Sequence, residues 1–344
     1  MNTKFRIGLT PDFYEDAKGM FERPVEAQFS GLGHIEYGQM PPQPGKIGTP
    51  DALNQFDGIV ALSLKITGES LAGVDRLAVI ARWGVGYDMI DVPALTEAGI
   101  ALCITPSGVR RPVAEAILTL VFALLKNMFP LDRMTRAGRW RSGMKGLGRD
   151  IPGHVLGSVG CGNIARELFR LAGGLGFKRM IACDPAVSQR EVDNLGVELV
   201  DMDTLFRESD IVSVNTLLSS QTEGLIGEEH FRLMKPSAYF INTARGPIVR
   251  HSALVKALRE NWIAGAGIDV FPTEPAPADD PLFECDNVIV APHALAWTEG
   301  CMYDNGTEAC QHVIEVSRGE VPGGVVNREV LERPNFLRKL ERYR

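Results

Sequence analysis

Short β-rich runs alternate with helix-like stretches almost from one end of this 344-residue chain to the other. No other feature restricts its fold as much. A strand, a crossover and a further strand in the same direction build a parallel sheet, and the crossovers cover both of its faces. Runs at Phe5–Thr10, His34–Tyr37, Gly58–Ser63, Leu77–Arg82 and Gly99–Ile104 predict a first set of strands. A second set begins at His154–Gly160 and continues through Met180–Asp184, Asp210–Thr216, Tyr239–Asn242, Gly265–Val270 and Val288–Ala291. Between the sets, after the turn-like Thr105-Pro106-Ser107-Gly108, the stretch Ala114–Asn127 is apolar on nearly every side. A helix of that kind must be covered all round, and it is too short to span a membrane. A last long helix over roughly Thr298–Arg318 is expected to return the chain to the first set. The expected fold class is therefore α/β, with two doubly wound parallel-sheet domains. Residues 1–108 plus 298–344 would form one, discontinuous in sequence, and residues 109–297 the other. Met40–Pro50, rich in Pro and Gly, is expected as an exposed loop, and the charged tail Asn335–Arg344 is expected to fray.

Charge narrows the partners. A formal net charge of −7 leaves no broad basic surface for nucleic acid or an anionic membrane. No apolar run reaches the ~20 residues of a membrane span. The opening MNTKFRIGLT lacks the apolar core of a signal peptide, so a cytoplasmic location is expected. The six cysteines include no C-x-x-C pair, which predicts free thiols in a reducing compartment. The six histidines show no H-x-x-x-H spacing, and no metal site is expected.

Gly160-Cys161-Gly162-Asn163-Ile164-Ala165 lies between a predicted strand and a helical run at Arg166–Leu175. In a G-x-G-x-x-A turn the first glycine permits the tight bend. The second lets a pyrophosphate approach the backbone, and the alanine keeps helix and strand close. Amides at the helix start would hold the phosphates. The next strand ends in Asp184, about 20 residues on, where an acid that binds a ribose is expected. A carboxylate there accepts from the ribose 2′-hydroxyl and repels a 2′-phosphate, which favours NAD over NADP.

Three further side chains follow predicted strands of the same domain: Arg245 in AYFINTARGPIV, Glu274 in GIDVFPTEP, and His293 after Val288–Ala291. Ligands bind at the carboxyl ends of the strands in an open parallel sheet, so all three would reach one edge, beside the nucleotide. Arginine offers a carboxylate a planar two-pronged grip. Histidine exchanges protons near neutral pH, and a neighbouring glutamate tunes it.

Five separated segments, ARWGVGYDMID (Ala81–Asp91), GSVGCGNIA (Gly157–Ala165), INTARGPIV (Ile241–Val249), GIDVFPTEP (Gly267–Pro275) and APH (Ala291–His293), together resemble the NAD-dependent D-2-hydroxyacid dehydrogenases. The resemblance runs over nearly the whole chain. It implies two Rossmann-like domains with catalysis in the cleft between them, and an oxidoreductase that is usually a homodimer. The activity it implies is hydride transfer between NAD(H) and a small D-2-hydroxy acid or 2-oxo acid, of the glyoxylate or hydroxypyruvate type. It further implies that Arg245 orients the substrate carboxylate, that His293 exchanges the hydroxyl proton, and that Glu274 bonds to His293. By the same resemblance Asn163, Ile164, Asp184, Thr243, Arg245 and Asp269 touch the cofactor, and the backbone of Trp83, Gly84 and Val85 helps bind the carboxylate. Trp297 either caps the substrate pocket or anchors the last helix.

Some positions depart from the family pattern. Asn215-Thr216-Leu217 lacks a proline found near Thr216 in many members. Ala61 stands where phosphoglycerate dehydrogenases of the family often carry a basic residue, which speaks against a phosphorylated substrate. Phosphoglycerate dehydrogenase, and an NAD(H)-sensing binding protein of the same fold, are the alternative readings.

Overall fold

A computed structural model describes residues 4–144 and 146–344. The chain divides into two compact units, one of residues 1–109 and 297–344 and one of residues 110–296. Each unit holds one wholly parallel sheet.

In the first unit the strands are β1 (Phe5–Leu9), β2 (Ile35–Gln39), β3 (Gly58–Ala61), β4 (Val79–Arg82) and β5 (Ala101–Cys103), in the order β2-β1-β3-β4-β5. Successive side chains of a strand face opposite sides, and here both sides are apolar. Val60, Val79, Ala81 and Cys103 join one buried cluster, with Met302, Ala309 and Val313 of the helix Glu299–Ser317. Ile59, Ala61, Ile80 and Leu102 join the other, with Leu95 of the helix Val92–Ala98. That is why the strands read as near-continuous apolar runs rather than alternating ones. Thr298 caps the helix Glu299–Ser317, its side chain accepting from the amide of Cys301 at 3.1 Å.

The C-terminal tail departs from the expected fraying. Residues Pro334–Glu341 form a helix with Phe336 and Leu340 fully buried. Lys339, 4% exposed, donates to the carbonyls of Leu77, Ala98 and Gly99 at 2.7, 2.9 and 3.1 Å. Tyr343 donates its hydroxyl to Asp57, which also holds Arg76 through two hydrogen bonds. The charges that suggested a solvated tail are in part the pins that dock it.

The second unit carries β6 (Val155–Val159), β7 (Arg179–Cys183), β8 (Val197–Leu199), β9 (Ile211–Val214), β10 (Tyr239–Asn242), β11 (Gly265–Ile268) and β12 (Val288–Val290), in the order β12-β11-β10-β9-β6-β7-β8. The order reverses between β6 and β9, the kind of switch point at which a doubly wound sheet binds its ligand. Leu156, Ile211, Tyr239 and Ile241 face a cluster built with the helices Pro106–Leu125 and Asn163–Ala172. Val159, Val212, Val214 and Phe240 face the opposite cluster, with Phe206, Phe231 and Leu254. The helix expected at Ala114–Asn127 begins earlier, at Pro106, and contains Pro112. Proline is tolerated at a helix start because the amide it lacks has no partner there, so the turn-like Pro-Ser-Gly is helical. Among the described residues no single helix is long and apolar enough to cross a membrane.

Candidate active site

Because every strand of the second unit is parallel, the segments following β6, β7, β9, β10, β11 and β12 all leave from one edge of its sheet. That edge collects the sequence-marked residues. After β6 the chain turns at Gly160, whose φ of +93° suits glycine. A side chain there would also collide with the Asn215 carbonyl and the Thr216 amide, at 2.8 to 2.9 Å. Gly160 is held from below as well. Ser158 donates to its carbonyl at 2.6 Å, and Asn215 donates to both Ser158 and Ser213. This hydroxyl and amide network under the turn was not read from the sequence, since its members lie on β6 and on and just after β9, strands that are neighbours only in the folded sheet.

The residues present fit a dinucleotide. Gly162 precedes the helix Asn163–Ala172 with no side-chain cap, and open space surrounds the place where its Cβ would stand. The helix start therefore offers amides to an anion. Asp184 is tied to this turn: one carboxylate oxygen accepts from the amide of Cys161 at 2.8 Å and the other from that of Ala186 at 2.9 Å. Each oxygen keeps a lone pair for a ribose hydroxyl. The Thr243 hydroxyl, at the end of β10, is buried without a hydrogen-bond partner, and a buried hydroxyl of that kind calls for a ligand atom.

Arg245 follows two residues later. Asn242 fixes its turn, donating to the Arg245 carbonyl at 2.9 Å and accepting from the Ala244 amide at 3.0 Å. Gly246 lets this turn press against the segment after β11: a Cβ on it would stand 2.0 Å from the carbonyl carbon of Phe271. The contact brings the Arg245 turn beside the loop that carries Glu274. In that loop the Phe271 amide donates to Glu274 Oε1 at 3.0 Å, and His293 Nδ1 meets Glu274 Oε2 at 2.7 Å. Burial alone would raise the Glu274 pKa. The bond to His293, the charge of that ring, the Phe271 amide and the Arg245 guanidinium together hold it below its ordinary value. Glu274 is thus a carboxylate, so Nδ1 carries the proton and donates, and Nε2 lies outside that bond.

His293 has a φ of +54°, a region that residues other than glycine seldom occupy. Such strain persists where neighbours over-determine it, most often at functional sites. Here Asp269, 4% exposed, accepts from the next two amides, Ala294 at 3.2 Å and Leu295 at 3.3 Å. Burial raises the Asp269 pKa against the His293 charge and those two amides.

The first unit holds the remaining sequence-marked residues. The Trp83 amide donates to the Ala61 carbonyl at 2.8 Å and the Gly84 amide to Thr105 Oγ1 at 2.7 Å. Both are thereby engaged within the fold. The amides of Val85 and of Gly86, a residue the sequence reading passed over, donate to no acceptor among the described residues. Trp297 packs against the core of the first unit, directly before the Thr298 cap.

Comparisons with known proteins identify the family. The family model described as D-isomer specific 2-hydroxyacid dehydrogenase, NAD binding domain, matches residues 118–294. A glyoxylate reductase from Thermococcus litoralis is 35% identical over 335 residues, 95% of this chain and 98% of that protein. One from Korarchaeum cryptofilum is 37% identical over 286 residues, 82% of this chain and 86% of its own length. The crystal structure of a glyoxylate reductase from Paecilomyes thermophila superposes with a TM-score of 0.81 at 27% identity, covering 95% of this chain and 99% of that one.

Proposed function

The chain belongs to the D-isomer-specific 2-hydroxyacid dehydrogenases, NAD-linked enzymes that transfer a hydride between 2-hydroxy and 2-oxo acids, and from that premise we propose that it reduces a short 2-oxo acid of the glyoxylate or hydroxypyruvate type. The observation that carries this reading is the Arg245, Glu274 and His293 set, gathered at the sheet edge that also bears the Gly160 turn. The name of the curated relatives supports glyoxylate as the first substrate to try.

In this reading residues 109–297 form the NAD-binding domain, and residues 1–108 with 298–344 form the substrate domain. Gly160, Gly162, Asn163, Ile164 and Asp184 hold the dinucleotide, with Thr243 and Asp269 further along the edge. Bound NADH supplies the hydride. Arg245 grips the substrate carboxylate with its planar fork, and in the first unit the amides of Val85 and Gly86 are donors suited to a carboxylate. His293 Nε2 gives its proton to the carbonyl oxygen as that oxygen gains charge, and recovers one from water. Glu274, accepting from Nδ1, fixes the ring and stabilises its charged form. In the reverse direction the same nitrogen takes the hydroxyl proton.

Asp184 supports NAD over NADP, because a second negative charge at the ribose would meet its carboxylate. A homodimer is supported by apolar side chains left in solvent on one stretch of the second unit: Phe122, Met128, Phe129, Trp140 and Leu147 are 40 to 86% exposed. Sedimentation at micromolar concentration is expected to give twice the chain mass, and a single-chain mass would contradict that. A cytoplasmic location is supported by six free cysteines, and cell fractionation checks it.

The function is tested by following NADH oxidation with a panel of 2-oxo acids, glyoxylate and hydroxypyruvate among them, and repeating the best with NADPH. Turnover with NADH, slower with NADPH, is expected. NADH binding without turnover on any member would contradict the proposal and favour a sensing role.

A further inference from the structure

The segment Trp83–Gly86 must present amides, and not carbonyls, to a carboxylate. A carbonyl oxygen turned toward the substrate would repel it as strongly as an amide attracts it. Among the described residues the one cis bond is Glu274–Pro275, so the peptides of this segment are trans. In a trans peptide the carbonyl and the following amide point in opposite directions. Fixing a carbonyl on one side therefore fixes the next amide on the other.

Arg82, at the end of β4, ties down the two ends of the segment, the Trp83–Gly84 and Gly86–Tyr87 peptides. Its Nη1 donates to the Trp83 carbonyl at 2.7 Å and its Nε to the Gly86 carbonyl at 2.8 Å. Nη1 also reaches the Ala61 carbonyl at 3.3 Å, on neighbouring β3, so the guanidinium is anchored to the sheet. Thr105 holds the Gly84–Val85 peptide and so sets the direction of the Val85 amide. Its amide donates to the Gly84 carbonyl at 3.0 Å while its Oγ1 accepts from the Gly84 amide. The Thr105 hydroxyl then donates to Asn305 Oδ1 at 2.9 Å, and Asn305 donates to Cys301 Sγ, all of these residues being buried. Of the four carbonyls from Trp83 to Gly86, three are held by these two residues. The amides of Val85 and Gly86 are the ones left without an acceptor.

We infer that Arg82 and Thr105 are positioning residues for the substrate carboxylate: Thr105 sets the Val85 amide by holding the Gly84 carbonyl, Arg82 clamps the loop at both ends, and the Val85 and Gly86 amides between are left for the anion. The inference rests on the proposed 2-oxo acid activity and deepens it. Arg82 needs a planar fork for this task, since one ammonium cannot span two carbonyls held along different directions. Its Nε and Nη1 both point at loop carbonyls, so its effect on the substrate would pass through the loop.

The test uses the full-length enzyme saturated with NADH and the unreactive 2-oxo acid analogue oxamate, with KM and kcat on the best 2-oxo acid alongside. Arg82→Met is expected to weaken oxamate and raise KM roughly tenfold or more, the scale of losing one or two charge-assisted hydrogen bonds. NADH affinity and kcat should change less. Thr105→Val, which keeps the shape and loses the hydroxyl, should weaken oxamate several-fold, and Thr105→Ser, which keeps the hydroxyl, should restore it. Wild-type oxamate affinity in a folded, NADH-binding Arg82→Met overturns the inference alone. An effect of Arg82→Met with none of Thr105→Val also overturns it, because the guanidinium would then be acting directly. If Arg82→Met does not fold, the Thr105 pair decides: equal affinity in the Val and Ser variants overturns the inference. A wild-type enzyme that neither binds oxamate nor reduces any 2-oxo acid overturns the substrate reading, and the inference with it.

Discussion

At His293 three constraints meet: a left-handed backbone, a carboxylate on Nδ1, and the two following amides bound by Asp269. The pair with Glu274 has a definite pH signature. Because the folded Glu274 lies below its ordinary value, the unfolded chain takes up its proton first as the solution is acidified. Its contribution to stability is then fully present above the unfolded value of about 4.3. That contribution is lost as pH falls through the lower, folded value. Both partners are more than a third exposed, so the effect is screened and modest. Thermal melts of the wild type and Glu274→Gln should differ most above about pH 5 and converge on further acidification. A difference that grows on acidification would contradict the assignment of Glu274 as the low-pKa partner. Arg245, Glu274 and His293 were legible in the sequence because each follows an apolar run, and parallel strands send every such residue to one edge. Arg82 and Thr105 were not, because their partners are backbone carbonyls and an amide whose directions no side-chain pattern records.

At the scale of elements, legibility followed the strength of the apolar pattern. Tyr239–Asn242 was predicted with the bounds it has, being a buried central strand. Val197–Leu199 was missed: it is three residues at the sheet edge, with Glu198 exposed at its centre, too short for any period to register. The C-terminal helix was misread because its sequence is dominated by charge. Its buried face reduces to Phe336, Lys339 and Leu340, and a lysine in that face reads as polar until its three carbonyl acceptors are known. Burying the two apolar side chains contributes about 1.5–3 kcal/mol each, and Lys339 secures the helix over Leu77, Ala98 and Gly99. Lys339→Met would leave those carbonyls without that donor. At ~1–3 kcal/mol for a buried polar group left unpaired, chemical denaturation should show a loss of at least that size. A stability within ~0.5 kcal/mol of wild type, the range of an ordinary surface change, would mean that the tail is not held this way.

At the scale of the whole molecule, two parallel sheets divide the work. The sheet of residues 110–296 gathers the Gly160 turn, Asp184, Arg245 and the Glu274–His293 pair at one edge. The sheet of residues 1–109 and 297–344 presents the Trp83–Gly86 loop, three of whose four carbonyls are tied down. The division was predictable because strand–helix alternation stops and restarts around one long apolar helix. The substrate's identity was not, because the loop proposed to meet it would work through its backbone. Parallel kinetics of Arg245→Lys and His293→Asn on the best 2-oxo acid, with NADH affinity read by fluorescence, test the site most directly. Arg245→Lys keeps the charge but loses the fork, and misplacement of about 1 Å can cost ~10²-fold in rate. It should raise KM steeply with NADH affinity nearly unchanged. His293→Asn should lower kcat by ~10²–10⁴-fold, the usual worth of a general acid–base group, with a smaller change in KM. Wild-type kcat/KM in Arg245→Lys, or wild-type kcat in His293→Asn, would contradict the assignment of this sheet edge as the catalytic site.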